Sequence, residues 1–310
     1  AKDEESRLSL EAKRAALLKT IRVFYLFTSD LVTERQEVAS MLALLDGRLK
    51  HRNVSLHTNT KDENSTVIDE NQVNECNLCM LIIGNEVNDD ITDAMNCYAH
   101  SHENFSNLLV MRTEKSPQDD FENKLREYKR ASSHFENIDT LKCKVLTELL
   151  ILSGAHGMQE VAKVENGKVT IDGKVYVDLK KVPFAGNNEE YNLLLKSIKK
   201  TQKLLAITDV EDEEYSELAS ELHDLKEKLA KMEASLWDTA LMITRLSTTK
   251  CSERLKRAMD LFNAGDNKGA QAVLNEEEIE ADAEINIRRC NESKAIYEES
   301  KKALYTNIDE

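Results

Sequence analysis

The sequence predicts an α/β protein: a Rossmann-like parallel sheet, then a small β meander and an all-α helical arm. Three observations predict it. Apolar runs of strand length alternate with amphipathic stretches through the first half, Asn-Gly and Asp-Gly dipeptides punctuate short alternating runs at 161–179, and apolar residues recur at helical spacing from Asn188 onward, with no proline after Pro183.

Residues 1–19 are expected to form an N-terminal helical extension. Ile21 to Phe27 (IRVFYLF) is a continuous β-branched and aromatic run, the pattern of a parallel strand buried on both faces. Ser29 and Asp30 follow as turn and N-cap candidates. Glu34 falls in the first helical turn, where the helix dipole favours an anion, and Val38, Met41, Leu42, Leu45 and Leu49 repeat at helical spacing. Val54 to His57, Leu78 to Ile83 and Leu108 to Arg112 are the next strands, with a helical stretch around Met95 to Glu103 between the last two. Ser116, Pro117 and Asp119 make a helix start whose buried face is Phe121, Leu125 and Tyr128. The alternation implies right-handed crossovers with helices on both sides of the sheet, and places this domain at residues 20–156.

Residues 157–186 hold a three-stranded meander. Asn166-Gly167 and Asp172-Gly173 are its turns, because both central positions of the tight hairpin turn need positive φ. Residues 187–310 form the arm. Tyr215, Leu218, Leu222, Leu225, Leu229, Met232 and Leu236 make a heptad seam, preceded by a stripe through Tyr191, Leu194, Leu195, Ile198 and Leu205. Thr208 to Asp212 reads as the turn between two antiparallel helices, and the seam closes either within the chain or between two chains.

With 57 acidic against 42 basic residues the formal net charge is −15, which argues against binding to nucleic acid or to anionic membranes by charge. No run approaches the length a membrane-spanning helix needs. Six scattered cysteines, at 76, 79, 97, 143, 251 and 290, lack the density of a disulfide framework, and reduced thiols in a cytoplasmic location are the expectation.

In a parallel α/β sheet, ligands bind beyond the carboxyl ends of the strands. That geometry selects Thr28, Ser29 and Asp30 after the first strand, Thr58, Asn59 and Thr60 after the second, and the acid-rich stretch Gly84 to Asp93 (Glu86, Asp89, Asp90, Asp93) after the third. Such loops suit a ribose and its phosphates; alternatively Asp30, Asn88 and Asp89 cap helices and the other acids are solvated. Cys76-Asn77-Leu78-Cys79 leads into an apolar strand and reads as two buried small hydrophobes. Cys97, His100 and His102 make a poor metal set, and Trp237 continues a helical apolar stripe as a packing anchor. Neither a Walker loop, a Gly-x-Gly-x-x-Gly nor a Gly-x-Ser-x-Gly occurs, which argues against P-loop hydrolysis, standard dinucleotide dehydrogenases and serine hydrolases.

The strand Val23 to Phe27, the Ser-Asp turn, the Glu34-Arg35 pair, the strand ending at Gly84 and the helix beginning near Ile91 together resemble TIR-like domains. These are the Toll/interleukin-receptor relatives of bacterial defence proteins, which in turn resemble nucleoside deoxyribosyltransferases. The resemblance covers about residues 20–150 and implies cleavage of the nicotinamide N-glycosidic bond of NAD, taken as substrate with no cofactor. Thr28, Ser29, Asp30, Thr58, Asn59 and Gly84 would contact the nucleotide. A carboxylate in the helix after the third strand would stabilise the positive charge that grows on the sugar.

The family's glutamate would fall at about Ala94 or Met95. Three explanations stay open: Asp93 or Asp90 substitutes for it, the domain is catalytically dead, or Ala94 replaces a native Glu by design. The string AMDLFNAGDNKGAQAVL, with Ala258, Leu261, Phe262, Gly265, Asp266 and Ala270, resembles the helix-turn-helix of a tetratricopeptide repeat. It implies that the arm binds a protein partner or drives self-assembly, and so controls an NAD-hydrolysing effector of anti-phage defence. The alternative expectation is an inactive interaction scaffold.

Overall fold

The computed structural model describes residues 19–50, 54–61, 67–101, 107–115, 118–128, 130–153, 162–247 and 253–274. The expected N-terminal helix, Ser116, Pro117, His102, Cys251, Cys290 and the arm beyond 274 lie outside the described residues.

The first half alternates strand and helix as β1 (Lys19–Phe27), α1 (Val32–Leu49), β2 (Val54–Asn59), α2 (Glu70–Asn74), β3 (Leu78–Ile83), α3 (Asp89–Ser101), β4 (Leu108–Arg112), α4 (Asp120–Glu127), β5 (Ser133–His134) and α5 (Ile138–Ser153). All four strand pairings are parallel and the order is β2-β1-β3-β4-β5. The chain reverses its direction of travel across the sheet between β1 and β3, so the crevice at their carboxyl ends is the topological switch point.

Every residue of β3 and β4 is buried, which explains why both read as unbroken apolar runs. Along β1 the pleat sends Ile21 and Val23 to one face and Phe24 and Leu26 to the other. Met41, Leu42 and Leu45 of α1 and Leu146 and Leu149 of α5 cover the first face. Val73 of α2, Ile91 and Met95 of α3 and Phe121 and Leu125 of α4 cover the second.

Three differences from the sequence reading concern this domain. β2 runs on through Asn59, so Thr58 and Asn59 are ladder residues opposite Val23 and Phe24 instead of loop residues. Asp30 does not cap α1: the N-cap is Leu31, without a side-chain hydrogen bond. The short α2 and β5 carry too few residues for a periodic signal. By contrast Asn88 caps α3 as expected, its Oδ1 accepting the Ile91 amide at 3.0 Å. α4 begins only at Asp120, so Asp119 precedes its first turn as the N-cap, accepting the Glu122 amide at 2.8 Å.

The meander is antiparallel, with β6 (Ala162–Glu165), β7 (Lys168–Ile171) and β8 (Lys174–Asp178) in sequence order. Asn166 and Gly167 have φ of 55° and 80°, Asp172 and Gly173 of 48° and 76°, the left-handed pairs the two turns require. Val169, Ile171 and Val177 join the same core as α5 and the arm, so the small sheet is stabilised by its neighbours.

A 3-10 turn (Leu179–Lys181) and α6 (Pro183–Gly186) lead into α7 (Glu189–Leu205), which Asn188 caps through the Tyr191 amide. α7 folds back on α8 (Glu213–Ser247), and Tyr191, Ile198, Leu218, Leu222, Leu229 and Leu236 are buried along their contact. The heptad seam thus closes within the chain. Residues 237–244 of α8 pack Trp237, Leu241 and Ile243 into the core that α5 shares, and the Thr244 hydroxyl donates to Thr147 Oγ1 at 3.1 Å. α9 (Glu253–Asn263) and α10 (Asn267–Val273) make a helix-turn-helix, whose Phe262 stacks on Phe184 of α6 at 4.4 Å between ring centroids. Among the described residues no helix is long and apolar enough to cross a membrane.

Candidate functional site

The switch point is built from the first residues beyond β1, β3 and β4. Thr28 continues the ladder by donating its amide to Ile82 O at 3.1 Å, and its Oγ1 accepts the Gly84 amide at 2.8 Å. The Asp30 carboxylate accepts the Asn85 amide at 2.9 Å. From the other side Thr113 donates its amide to Ile83 O and its hydroxyl to Gly84 O, both at 3.1 Å. Gly84 is therefore held through both its N–H and its C=O. A side chain at 84 would run into the Asp30 carboxylate, so the absent Cβ is what lets Asp30 reach across from β1.

The Thr28 hydrogen bond, with the Asn85 amide, holds the Asp30 carboxyl below the ordinary carboxylate range. Asp30 is thus an anion at neutral pH whose bonds tie two loops together. Three of the expected nucleotide contacts, Thr28, Asp30 and Gly84, do converge here, engaged with one another. Ser29 stands exposed beside them, whereas Thr58 and Asn59 lie back along β2.

The three catalytic candidates separate. Ala94 is fully buried with Ile91, Met95 and Tyr98 of α3 in the core between helix and sheet. Asp90 pairs with Lys61, beyond the end of β2, at 2.6 Å. Asp93 lies on the exposed side of α3, lining a cleft of about 670 Å³ against α2 that also holds Glu70, Asn74, Cys97 and His100 but not Asp30. The side chains of 90, 93 and 94 share a helix and no common site.

Cys76 and Cys79 are buried, as the sequence indicated, and hydrogen-bond to each other; that bond lowers the Cys76 thiol pKa and, with burial, raises that of Cys79. Cys97 donates to Asn74 Oδ1 at 3.2 Å, and its pKa is raised by partial burial. Burial pushes the Cys143 thiol up to about 12. Burial disfavours the thiolate of Cys79, Cys97 and Cys143, and Cys76 is sealed in the core against Cys79, so none is an evident nucleophile. Among the described residues no group of three His, Cys, Asp or Glu side chains is placed to hold a metal ion.

Two features go beyond what the sequence predicts. Arg112, the last residue of β4, is buried with its guanidinium against Asp119 at 2.5 Å; a charge closing an otherwise apolar strand was the available signal. A polar cleft of about 660 Å³ opens in the arm between α7, α8 and the α9–α10 turn, lined among others by Glu190, Lys228, Lys231, Ser235, Asp266 and Gln271. Its residues are far apart in sequence, and no local pattern announces them.

Comparison with protein-family models, with curated proteins and with solved structures finds no match to this chain.

Proposed function

We propose that this chain is a protein-interaction scaffold, an α/β domain of TIR-like architecture that lacks the carboxylate for NAD cleavage and carries a helical arm for partners. The observation that carries this reading is the burial of Ala94. At the place where the resemblance calls for a glutamate, the chain has a small apolar residue sealed in a hydrophobic core. A carboxylate facing substrate cannot occupy that environment without a large desolvation penalty.

Two further features support the scaffold. At the strand-end crevice Thr28 is bonded to Gly84 and Asp30 to Asn85, so groups that a nucleotide there would engage are already engaged with one another. The arm offers what a binding module needs, a polar cleft with charges of both signs and, at the tip of the α7–α8 hairpin, the exposed apolar residues Ile207 (82%) and Val210 (71%).

The test is nicotinamide release from NAD at protein concentrations high enough to favour assembly. The scaffold gives none above the uncatalysed background; sustained turnover overturns it.

A second reading, an NAD-hydrolysing effector controlled through the arm, is favoured by one observation: the ionised Asp30 at the β1–β3 switch point of a sheet ordered 2-1-3-4-5. On that reading Asp30 or Asp90 carries the role of the missing glutamate, and turnover by the native chain would be abolished by Asp30→Asn or Asp90→Asn.

A further inference from the structure

A guanidinium is permanently charged and carries five N–H donors, so a buried one normally has most of them occupied. Arg112 departs from this. It ends β4 at the carboxyl edge of the sheet with only 2% of its surface exposed, and its side-chain partner among the described residues is Asp119, whose Oδ2 accepts from Nη2 at 2.5 Å. Nε and Nη1 are both buried and make no hydrogen bond among the described residues. The neighbouring buried acid does not serve it: both oxygens of Glu122 are taken by Ser132, at 2.8 and 3.3 Å.

We propose that Arg112 is the anchor of a site for a phosphate group, set between the end of β4 and the first turn of α4. The pairing geometry of a guanidinium explains how ligand and Asp119 relate. Both edges able to grip an oxyanion with two parallel N–H bonds, Nε with Nη2 and Nη1 with Nη2, include the nitrogen that Asp119 now holds. An incoming oxyanion therefore takes Nη2 over from Oδ2. Asp119 remains as the N-cap through Oδ1, which accepts the Glu122 amide independently. With its side chain 38% exposed, Asp119 is the part of the assembly that opens to solvent.

Phosphate suits the site better than carboxylate. Both oxygens of a carboxylate are consumed by one guanidinium edge, whereas a phosphate keeps further oxygens for the first-turn amides of α4, at the positive end of the helix dipole. The site lies beyond β4, one residue before Thr113, whose hydroxyl bonds Gly84 O at the edge of the Thr28–Asp30–Gly84 junction, and it does not rest on the scaffold reading.

The experiment is an NMR titration of the Arg112 Nε–H and Thr113 amide signals with inorganic phosphate, with acetate as the control anion, on the native chain and on Asp119→Asn. Asparagine caps a helix as well as aspartate does, so this variant keeps its fold while losing the competing charge. Both signals are expected to shift with phosphate, saturating at several-fold lower concentration in Asp119→Asn, and to stay in place with acetate. Signals unmoved by phosphate in both proteins, or moved equally by acetate, overturn the proposal. Arg112→Met, if folded, should lose the response; if it fails to fold, the Asp119 pair decides alone.

Discussion

The Tyr191 hydroxyl donates to the Glu233 carboxylate at 3.1 Å, joining the first turn of α7 to the middle of α8 across 42 residues. Glu233 is 1% exposed and also accepts from the backbone amides of Gly167 and Asn166, the β6–β7 turn. One buried carboxylate thus fastens the meander to both helices of the hairpin. Desolvation is the largest influence on it and raises its pKa above the ordinary glutamate value.

That shift fixes a pH dependence. A carboxyl whose pKa is higher folded than unfolded binds more protons in the folded state, so stability falls as pH rises from the unfolded value through the folded one. The native chain should lose stability over that window relative to Glu233→Gln, which has no proton to release. Urea midpoints of both proteins on either side of the window measure it; parallel profiles would count against a raised pKa.

Tyr191→Phe removes the donor while leaving Glu233 buried. It should cost about 1–3 kcal/mol, the penalty of stranding part of a buried polar group. Chemical denaturation at neutral pH checks this, and the loss should shrink in the Glu233→Gln background because the two residues form one network.

Ala94→Glu is expected to destabilise by about 3 kcal/mol or more, since it places an unpaired carboxylate in the apolar core against Ile91 and Met95. Thermal unfolding and nicotinamide release measured on the same sample separate two cases. A folded, active variant would show that the helix can turn the new side chain toward substrate.

Two glycines should respond to alanine with opposite sign. Gly265 has φ of +91°, and its added Cβ would meet the backbone of Asn187 and Asn188, which cannot yield as a flexible side chain does. Gly265→Ala should therefore destabilise by about 2 kcal/mol. Gly47 lies within helix α1 with nothing near the new methyl, and Gly47→Ala should stabilise by about 0.5–1 kcal/mol. Midpoints of denaturation for the two variants give both signs.

In the seam, Leu236→Ala should cost about 2–5 kcal/mol, because Leu236 is fully buried between packed helices. The midpoint should not depend on protein concentration, since the seam is closed within one chain. A strong concentration dependence would point to closure between chains.

Much of the fold was legible because period and turn chemistry are local. The unbroken run of β3, the Asn-Gly and Asp-Gly turns, the cap at Asn88 and the heptad of α8 each follow from neighbouring residues. Thr58, Asn59 and Asp30 were misplaced for a complementary reason. The extent of β2 depends on its pairing with β1, and Asp30 bonds to an amide 55 residues away. Whether it caps its own helix or bridges to β3 is decided by where β3 comes to lie.

The sequence by itself determined the alternation of strands and helices, the meander and the arm, because side-chain periodicity and backbone preference act over a few residues. Tertiary structure alone decided the strand order, the burial of Ala94 in the core, the dispersal of Asp90 and Asp93 to separate surroundings, and the unfilled guanidinium of Arg112. Each of these depends on which distant backbone and side-chain groups arrive within hydrogen-bonding or van der Waals reach, and those forces extend only a few ångströms while the partners lie tens of residues apart.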